Sequence, residues 1–297
     1  MKLYKFISLP ANEDIKSPQF EKFIDSILES KIYFSSMPWL NDPFDGTIIL
    51  NNLSNDECQQ VYDAKKELLE DFDTSIIEPY VQNAPYNMSI TNRILSTSFS
   101  QETIFNRITL HDANRKPISI RYSDLMWAYY ANGHHGACLE YDFNETEDIA
   151  KLFVKDADGI LKMVRISDPS NITPYRGNIV FKAAPIQYLS EPEPIEFSKG
   201  KCSKDYEFMP LFLNKSNTWI FEQEYRIIAQ APNHCAFSLR DKSYFVQCKQ
   251  SCLKSIRLGF KMSTPVKKEI LDTLRSKNIA IYDTHLGTDF TLHYQTI

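Results

Sequence analysis

Apolar and polar side chains alternate over residues 3–7, which predicts a short first strand because successive side chains of a strand point to opposite faces. The period then lengthens. Phe20, Phe23, Ile24, Ile27 and Leu28 recur at helical spacing behind Ser17 and Pro18, so a helix is predicted there and a strand over 31–35 after it. Residues 37–46, MPWLNDPFDG, combine two prolines with Asn41, Asp42, Asp45 and Gly46 and read as an ordered loop. Ser54 and Glu57 form a capping box ahead of Val61, Ala64, Leu68 and Phe72, the clearest helical pattern in the chain. Residues 94–100, ILSTSFS, read as a strand with Leu95, Thr97 and Phe99 on one face and Ser96, Ser98 and Ser100 on a polar second face.

Ser123 is placed to cap a helix through Met126, Trp127, Tyr129 and Tyr130, with Asn132-Gly133 ending it in the left-handed conformation and a strand over 137–141 beyond. Residues 142–178 hold no sustained period and read as an insertion around the core. Residues 179–189 look extended, and 205–214 have helical spacing despite Pro210. Strands are predicted over 219–229, 243–248 and 255–260. A last helix starts at Thr264-Pro265 and runs through Ile270, Leu271 and Leu274, and 279–282 rejoins the sheet. Strands crowd the second half without a regular strand–helix–strand alternation, so the predicted fold class is α+β, in one domain over 1–297.

Composition narrows the class. Apolar residues are 43% of the chain and charged residues 24%, ordinary values for a globular protein. No apolar run approaches the roughly 20 residues of a membrane helix, and the N-terminal MKLYKFISLP has no signal-peptide core, so a cytoplasmic protein is expected. Its six cysteines, at 58, 138, 202, 235, 248 and 252, are then expected as reduced thiols, with Cys248 and Cys252 as packing residues. The net charge of −5 gives no global field for a polyanion. Local clusters at Arg107, Arg115, Lys116 and Arg121 and at Lys199, Lys201 and Lys204 read first as solvated loops, with a basic path for nucleic acid as the other reading. His134 and His135 are adjacent and so point apart, which argues against both ligating one ion; no metal site is predicted, although one of the two near a bound ring is open.

Chemistry concentrates in residues 219–228, WIFEQEYRII. As a strand it would set Glu222, Glu224 and Arg226 on one face, either as a salt-bridge ladder or as the wall of a site. The blocks LYKF (3–6), YFSSMPWLNDPFDG (33–46), STSFS (96–100), MWAYYANGHHGACLEYD (126–142) and FEQEYR (221–226) together resemble a family of uncharacterised bacterial and phage proteins. That family is similar to a divergent branch of the ADP-ribosyltransferase-like superfamily. The resemblance implies a split β-sheet core with NAD, the substrate, in the cleft between its halves. Ser96-Thr97-Ser98 matches the serine-bearing strand and Glu222-Gln223-Glu224 the glutamate motif; the first strand departs, offering Tyr4 and Lys5 where an arginine or histidine is usual.

The resemblance implies Glu224 as the catalytic carboxylate, supported by Glu222 and Ser98. Tyr4, Lys5, Asn41, Asp42, Trp127, Tyr130 and Arg226 are the candidates for contacting NAD. It also implies transfer of one ADP-ribose to a macromolecule: nucleic acid (RNA or DNA) is narrowly preferred, and protein remains open. Such a glycosyltransferase would be a toxin or an antiphage effector held by an antitoxin partner. Two other classes remain: a magnesium-dependent nuclease using Asp42, Asp45, Glu222 and Glu224, and a binding module without catalysis.

Overall fold

The first strand and helix form where the pattern places them, because each satisfies its local rules. β1 (Lys2–Ile7) buries Leu3 on one face and Tyr4 on the other. α1 (Pro18–Leu28) starts at a Ser17 side chain that accepts from the Phe20 amide, with Pro18 in the first turn, and turns Phe20, Phe23 and Ile27 inward. The computed structural model describes residues 1–10, 14–36, 94–111, 113–143, 153–154, 163–165, 180–191, 212–230, 243–288 and 291–297. The predicted loop over 37–46, the capping-box helix and the lysines at 199, 201 and 204 lie outside them.

The remaining elements are β2 (Lys31–Ser36), β3 (Ile94–Gln101), β4 (Arg107–His111), β5 (Pro117–Arg121), α2 (Tyr122–Tyr130), β6 (Ala137–Asp142), β7 (Met163–Arg165), β8 (Val180–Pro185), β9 (Gln187–Leu189), β10 (Asn214–Ser216), β11 (Glu224–Gln230), β12 (Ser243–Gln247), β13 (Leu253–Leu258), α3 (Thr264–Leu274), β14 (Ala280–Leu286) and β15 (Leu292–Thr296). The chain is therefore α+β, with one large mixed sheet among the described residues. Its order is β15-β14-β13-β6-β1-β3-β2-β12-β7, with β11 and then β8 branching from β3. The larger apolar cluster lies on the face covered by α1 and α3, where Phe20, Phe23, Ile27, Val266, Ile270 and Leu274 meet Leu3, Leu95, Leu139 and Ile256. The smaller lies under α2, where Met126, Trp127 and Ala131 meet Tyr4, Cys138 and Leu292.

The branch at β3 creates the space that matters. β11 pairs along β3 from Glu224↔Ser100 to Gln230↔Ile94 and takes one edge. The other edge is shared: β1 pairs at Leu3↔Gln101 and Tyr4↔Ser100, and β2 at Ser35↔Ser96 and Ser36↔Leu95. Between these contacts Thr97, Ser98 and Phe99 pair with β11 alone among the described strands, so the sheet forks there.

Several expectations are corrected. α2 begins at Tyr122 with Arg121 at its cap position and no side-chain cap bond, so Ser123 is a buried helical residue rather than the cap. Its other end is as expected, with Asn132 and Gly133 at φ 48° and 59°. The second face of β3 carries the expected serines, of which Ser96 and Ser100 are buried. Arg107–His111 and Pro117–Arg121 pair as the antiparallel strands β4 and β5 of a hairpin rather than lying in a solvated loop. Of the region read as an insertion, β7 pairs with β12 and adds a strand at the edge of the sheet. The predicted strand over 219–229 splits: Asn217–Glu222 is a 3-10 turn and only Glu224–Gln230 is extended.

Candidate functional site

Glu222 and Glu224 converge for a reason different from strand alternation. Glu222 ends the 3-10 turn, Gln223 takes a left-handed conformation at φ 44°, and Glu224 opens β11. The left-handed step redirects the chain so that both carboxylates face one space despite belonging to different elements. Non-glycine residues adopt that region uncommonly, and such a position marks a local constraint. The Gln223 side chain steadies the turn by donating to the Ile220 carbonyl at 2.7 Å.

Both acids line a cavity of about 220 Å³ at the fork of the sheet. Its walls are Tyr4, Lys5 and Phe6 of β1, Tyr33 and Ser35 of β2, residues 96–100 of β3, Met126 and Tyr130 of α2, and Lys215, Glu222 and Glu224. Lys5 spans the opened ladder, its Nζ donating to Thr97 Oγ1 at 2.9 Å and to the Ser98 carbonyl at 3.0 Å. Burial pushes this amine down to about 8, against a partial pull upward from Glu224.

The carboxylates are held by four side chains. Ser98 donates its hydroxyl to Glu224 Oε1 and Tyr130 donates its hydroxyl to Glu222 Oε1. Arg226 grips Glu224 with Nε at 2.7 Å from Oε1 and Nη2 at 3.0 Å from Oε2, while its Nη1 donates to the Phe212 carbonyl at 2.8 Å. Lys215 bridges the pair, 2.6 Å from Glu222 Oε2 and 3.3 Å from Glu224 Oε2. The small parallel sheet of β9 and β10 brings it there, and the same sheet supplies Tyr188, whose hydroxyl accepts from the Glu224 amide at 2.7 Å.

These contacts separate two chemically equal acids. Burial raises the Glu224 carboxyl, but Arg226, Lys215 and the hydrogen bonds overcome it and hold the group at about 2. Burial also raises Glu222; Lys215 opposes that only in part while the neighbouring Glu224 charge adds to it, so this acid stays above the usual carboxylate range. One member of the pair is a fixed anion and the other is a stronger base than an ordinary carboxylate.

Stability should follow the fixed anion. A carboxyl held at about 2 in the fold, against an ordinary 4.5, contributes stability that is complete above about pH 4.5 and is lost as pH falls toward 2. The melting temperature of the parent is therefore expected to drop more steeply between about pH 5 and pH 3 than that of Glu224→Gln. Equal slopes would show that Glu224 is not held down.

The structure brings Tyr4, Lys5, Ser98, Tyr130, Glu222 and Glu224 together as the sequence suggested. It moves others away. Trp127 is fully buried against Phe6 and His134 and does not line the cavity, so it supports the wall rather than stacking on a ligand. Arg226, also fully buried, is the partner of Glu224 and does not line the cavity, so its guanidinium is not placed to hold a pyrophosphate. His134 stacks on Trp127 and leans on Phe260, and neither it nor His135 lines the cavity. Asn41, Asp42 and Asp45 lie outside the described residues. Lys215 was missed because no periodic pattern surrounds NKS, and a lone lysine in a polar stretch reads as surface.

No group of three or more potential metal ligands occurs among the described residues. Lys215 and Arg226 already balance the charges of Glu222 and Glu224, so the pair offers little net negative charge to a magnesium ion. No described helix is long and apolar enough to cross a membrane.

The profile of a family described as "Protein of unknown function (DUF2971)" matches residues 126–227. That span runs from α2 to β11 and contains Tyr130, Lys215, Glu222, Glu224 and Arg226. No curated protein and no solved structure matches the chain.

Proposed function

We propose that this chain is an NAD-dependent mono-ADP-ribosyltransferase whose reaction centre is the cavity at the fork of the sheet. The observation that carries the reading is a buried carboxylate, Glu224, kept ionised at the wall of a cavity it shares with Tyr4, Ser98 and Tyr130. Nicotinamide leaves NAD as a neutral base, taking the bonding pair of the C1′–N bond, so departure needs no general acid. Positive charge then grows on the ribose, and a fixed anion in a buried site stabilises it without reorganisation. Glu224 meets that requirement. Glu222 suits the complementary task of receiving the acceptor's proton as its lone pair captures C1′, because a base with a raised pKa holds a proton better.

A cavity of about 220 Å³ is smaller than the roughly 300–1,000 Å³ usual for small-molecule and cofactor sites, so it would not enclose a whole dinucleotide. It fits the nicotinamide-ribose end, with Tyr130 and Tyr4 as its flat walls and Lys5 facing the phosphates. Split-sheet ADP-ribosyltransferases bind NAD where their sheets part, and the opening between β1, β2 and β3 offers such a place.

The acceptor is nucleic acid in this reading, and protein is the other outcome of the test. The β4–β5 hairpin leaves the end of β3 and returns into α2, two walls of the cavity. Along it Arg107, Arg115 and Lys116 are exposed, and Arg121 stands opposite Arg107. A basic ribbon beside the site gives an acidic chain a local grip on phosphates. A transferase acting on nucleic acid harms its own cell, so a toxin or antiphage effector restrained by a partner protein completes the proposal.

The test incubates the protein with NAD labelled on its adenylate phosphate and with RNA, DNA and protein fractions. Label is expected on nucleic acid, decreasing as salt rises, and several-fold lower in the doubly substituted Arg115→Ala, Lys116→Ala protein. Label on protein alone would overturn the acceptor, and label on no polymer with free nicotinamide would identify an NAD hydrolase.

A further inference from the structure

A carboxylate has about four acceptor positions. Those of Glu224 are all used: Ser98 Oγ and Arg226 Nε on Oε1, and Arg226 Nη2 and Lys215 Nζ on Oε2. A ribose hydroxyl can reach this acid only when one donor withdraws. Arg226 is fully buried and anchored to the Phe212 carbonyl, and Ser98 is fixed on a central strand. Lys215 is different. Its contact with Glu224 is the longest of the four, at 3.3 Å, it keeps Glu222 at 2.6 Å, and its Nζ lies 5.1 Å from the centre of the Trp219 ring. A shift of the ammonium toward that ring frees a position on Glu224 while Glu222 and the π face retain the charge.

The residue also occupies the place a cation would take. Lys215 is the ammonium between the two carboxylates, and oxidised NAD brings a positively charged ring into the same cavity. The aromatic row outside it is open at its end, with Trp219 near Phe221 at 6.0 Å, Phe221 near Tyr129 at 5.8 Å, and Tyr129 well exposed.

We propose that Lys215 is a resident counter-ion that gates the site, holding the acids paired in the empty cavity and yielding Glu224 to the cationic ring and ribose of the substrate. This rests on the NAD reading above and adds that the cavity selects the oxidised nucleotide by exchanging one cation for another. Lys215 is a positioning and selectivity residue in this scheme, acting through the two glutamates.

The test compares binding of NAD and NADH, whose reduced ring is neutral, by calorimetry on the parent, Lys215→Met, Lys215→Arg and Trp219→Leu. Removing the resident cation is expected to tighten NAD about tenfold and NADH much less, so the preference for the oxidised form widens. Lys215→Arg should retain the parent's ratio. Trp219→Leu, which removes the ring the ammonium moves toward, should weaken NAD several-fold, and it answers the question if Lys215→Met does not fold. Unchanged or weaker NAD binding by a folded Lys215→Met, or by default unchanged NAD binding by Trp219→Leu, would overturn the gate alone. Absence of NAD binding by the parent and every variant would overturn the gate and the NAD reading together.

Discussion

Glu224→Gln should lower the rate of nicotinamide release from NAD by about 10²–10³, the usual cost of removing one preorganised electrostatic contact to a developing charge. The amide keeps the shape of the carboxylate and the hydrogen bonds to its oxygen, but it removes the anion that balances the ribosyl cation. Loss should fall on the chemical step, with substrate binding changed less. Because the substitution also strands the buried Arg226 beside a neutral amide, the comparison belongs at a temperature where circular dichroism shows both proteins folded. A folded Glu224→Gln that releases nicotinamide at the parent's rate would assign the carboxylate to structure alone.

Arg226→Met carries the largest expected effect on stability. The guanidinium is fully buried, chelates Glu224 through two nitrogens and ties β11 to the Phe212 carbonyl. Removing one member of a buried ion pair leaves the other uncompensated and costs about 3–5 kcal/mol. Urea unfolding should show that loss, and activity should fall as well because Glu224 loses the strongest of the influences that lower its pKa. The double variant Arg226→Met, Glu224→Gln should lose less stability than the two single losses added, since neither charge is then stranded. Strict additivity would mean that the pair is not coupled as its geometry indicates.

Much of the frame was readable where local rules and burial agree. Ser17, Pro18 and the spacing of Phe20, Phe23 and Ile27 define α1, and the alternation of Leu95, Thr97 and Phe99 defines β3. Asn132-Gly133 correctly ended α2, since a left-handed exit needs little tertiary support. Failures came where the backbone leaves the regular regions. WIFEQEYRII has enough β-branched and aromatic residues to pass for one strand, yet the left-handed Gln223 breaks it, and that conformation leaves no signature in a glutamine. The two glutamates were nevertheless placed on one wall, for a reason the alternation rule does not contain.

The charged centre was legible in part. Glu222, Glu224 and Ser98, singled out through the resemblance, do line one cavity, and Ser98 touches Glu224. Arg226 and Trp127 were assigned to the ligand because sequence shows residue type but not depth; both are fully buried and act behind the cavity. Lys215 lies in a three-residue strand that pairs, among the described strands, with β9 alone, and nothing short of the assembled fold brings it between the acids. The segment carrying Arg107, Arg115, Lys116 and Arg121 was read as solvated loop from its basic cluster, although Ile108, Leu110, Ile118 and Ile120 alternate as in strands; Leu110 and Ile118 remain exposed, so the pairing buries little.

The most direct measurement of the central claim, that a fixed carboxylate in the fork of the sheet drives cleavage of NAD, is release of nicotinamide from nicotinamide-labelled NAD by parent and folded Glu224→Gln, with nucleic acid present. Steady release by the parent and a loss of about 10² or more in the variant is the predicted result. No release by a folded parent, or equal release by both proteins, would contradict it.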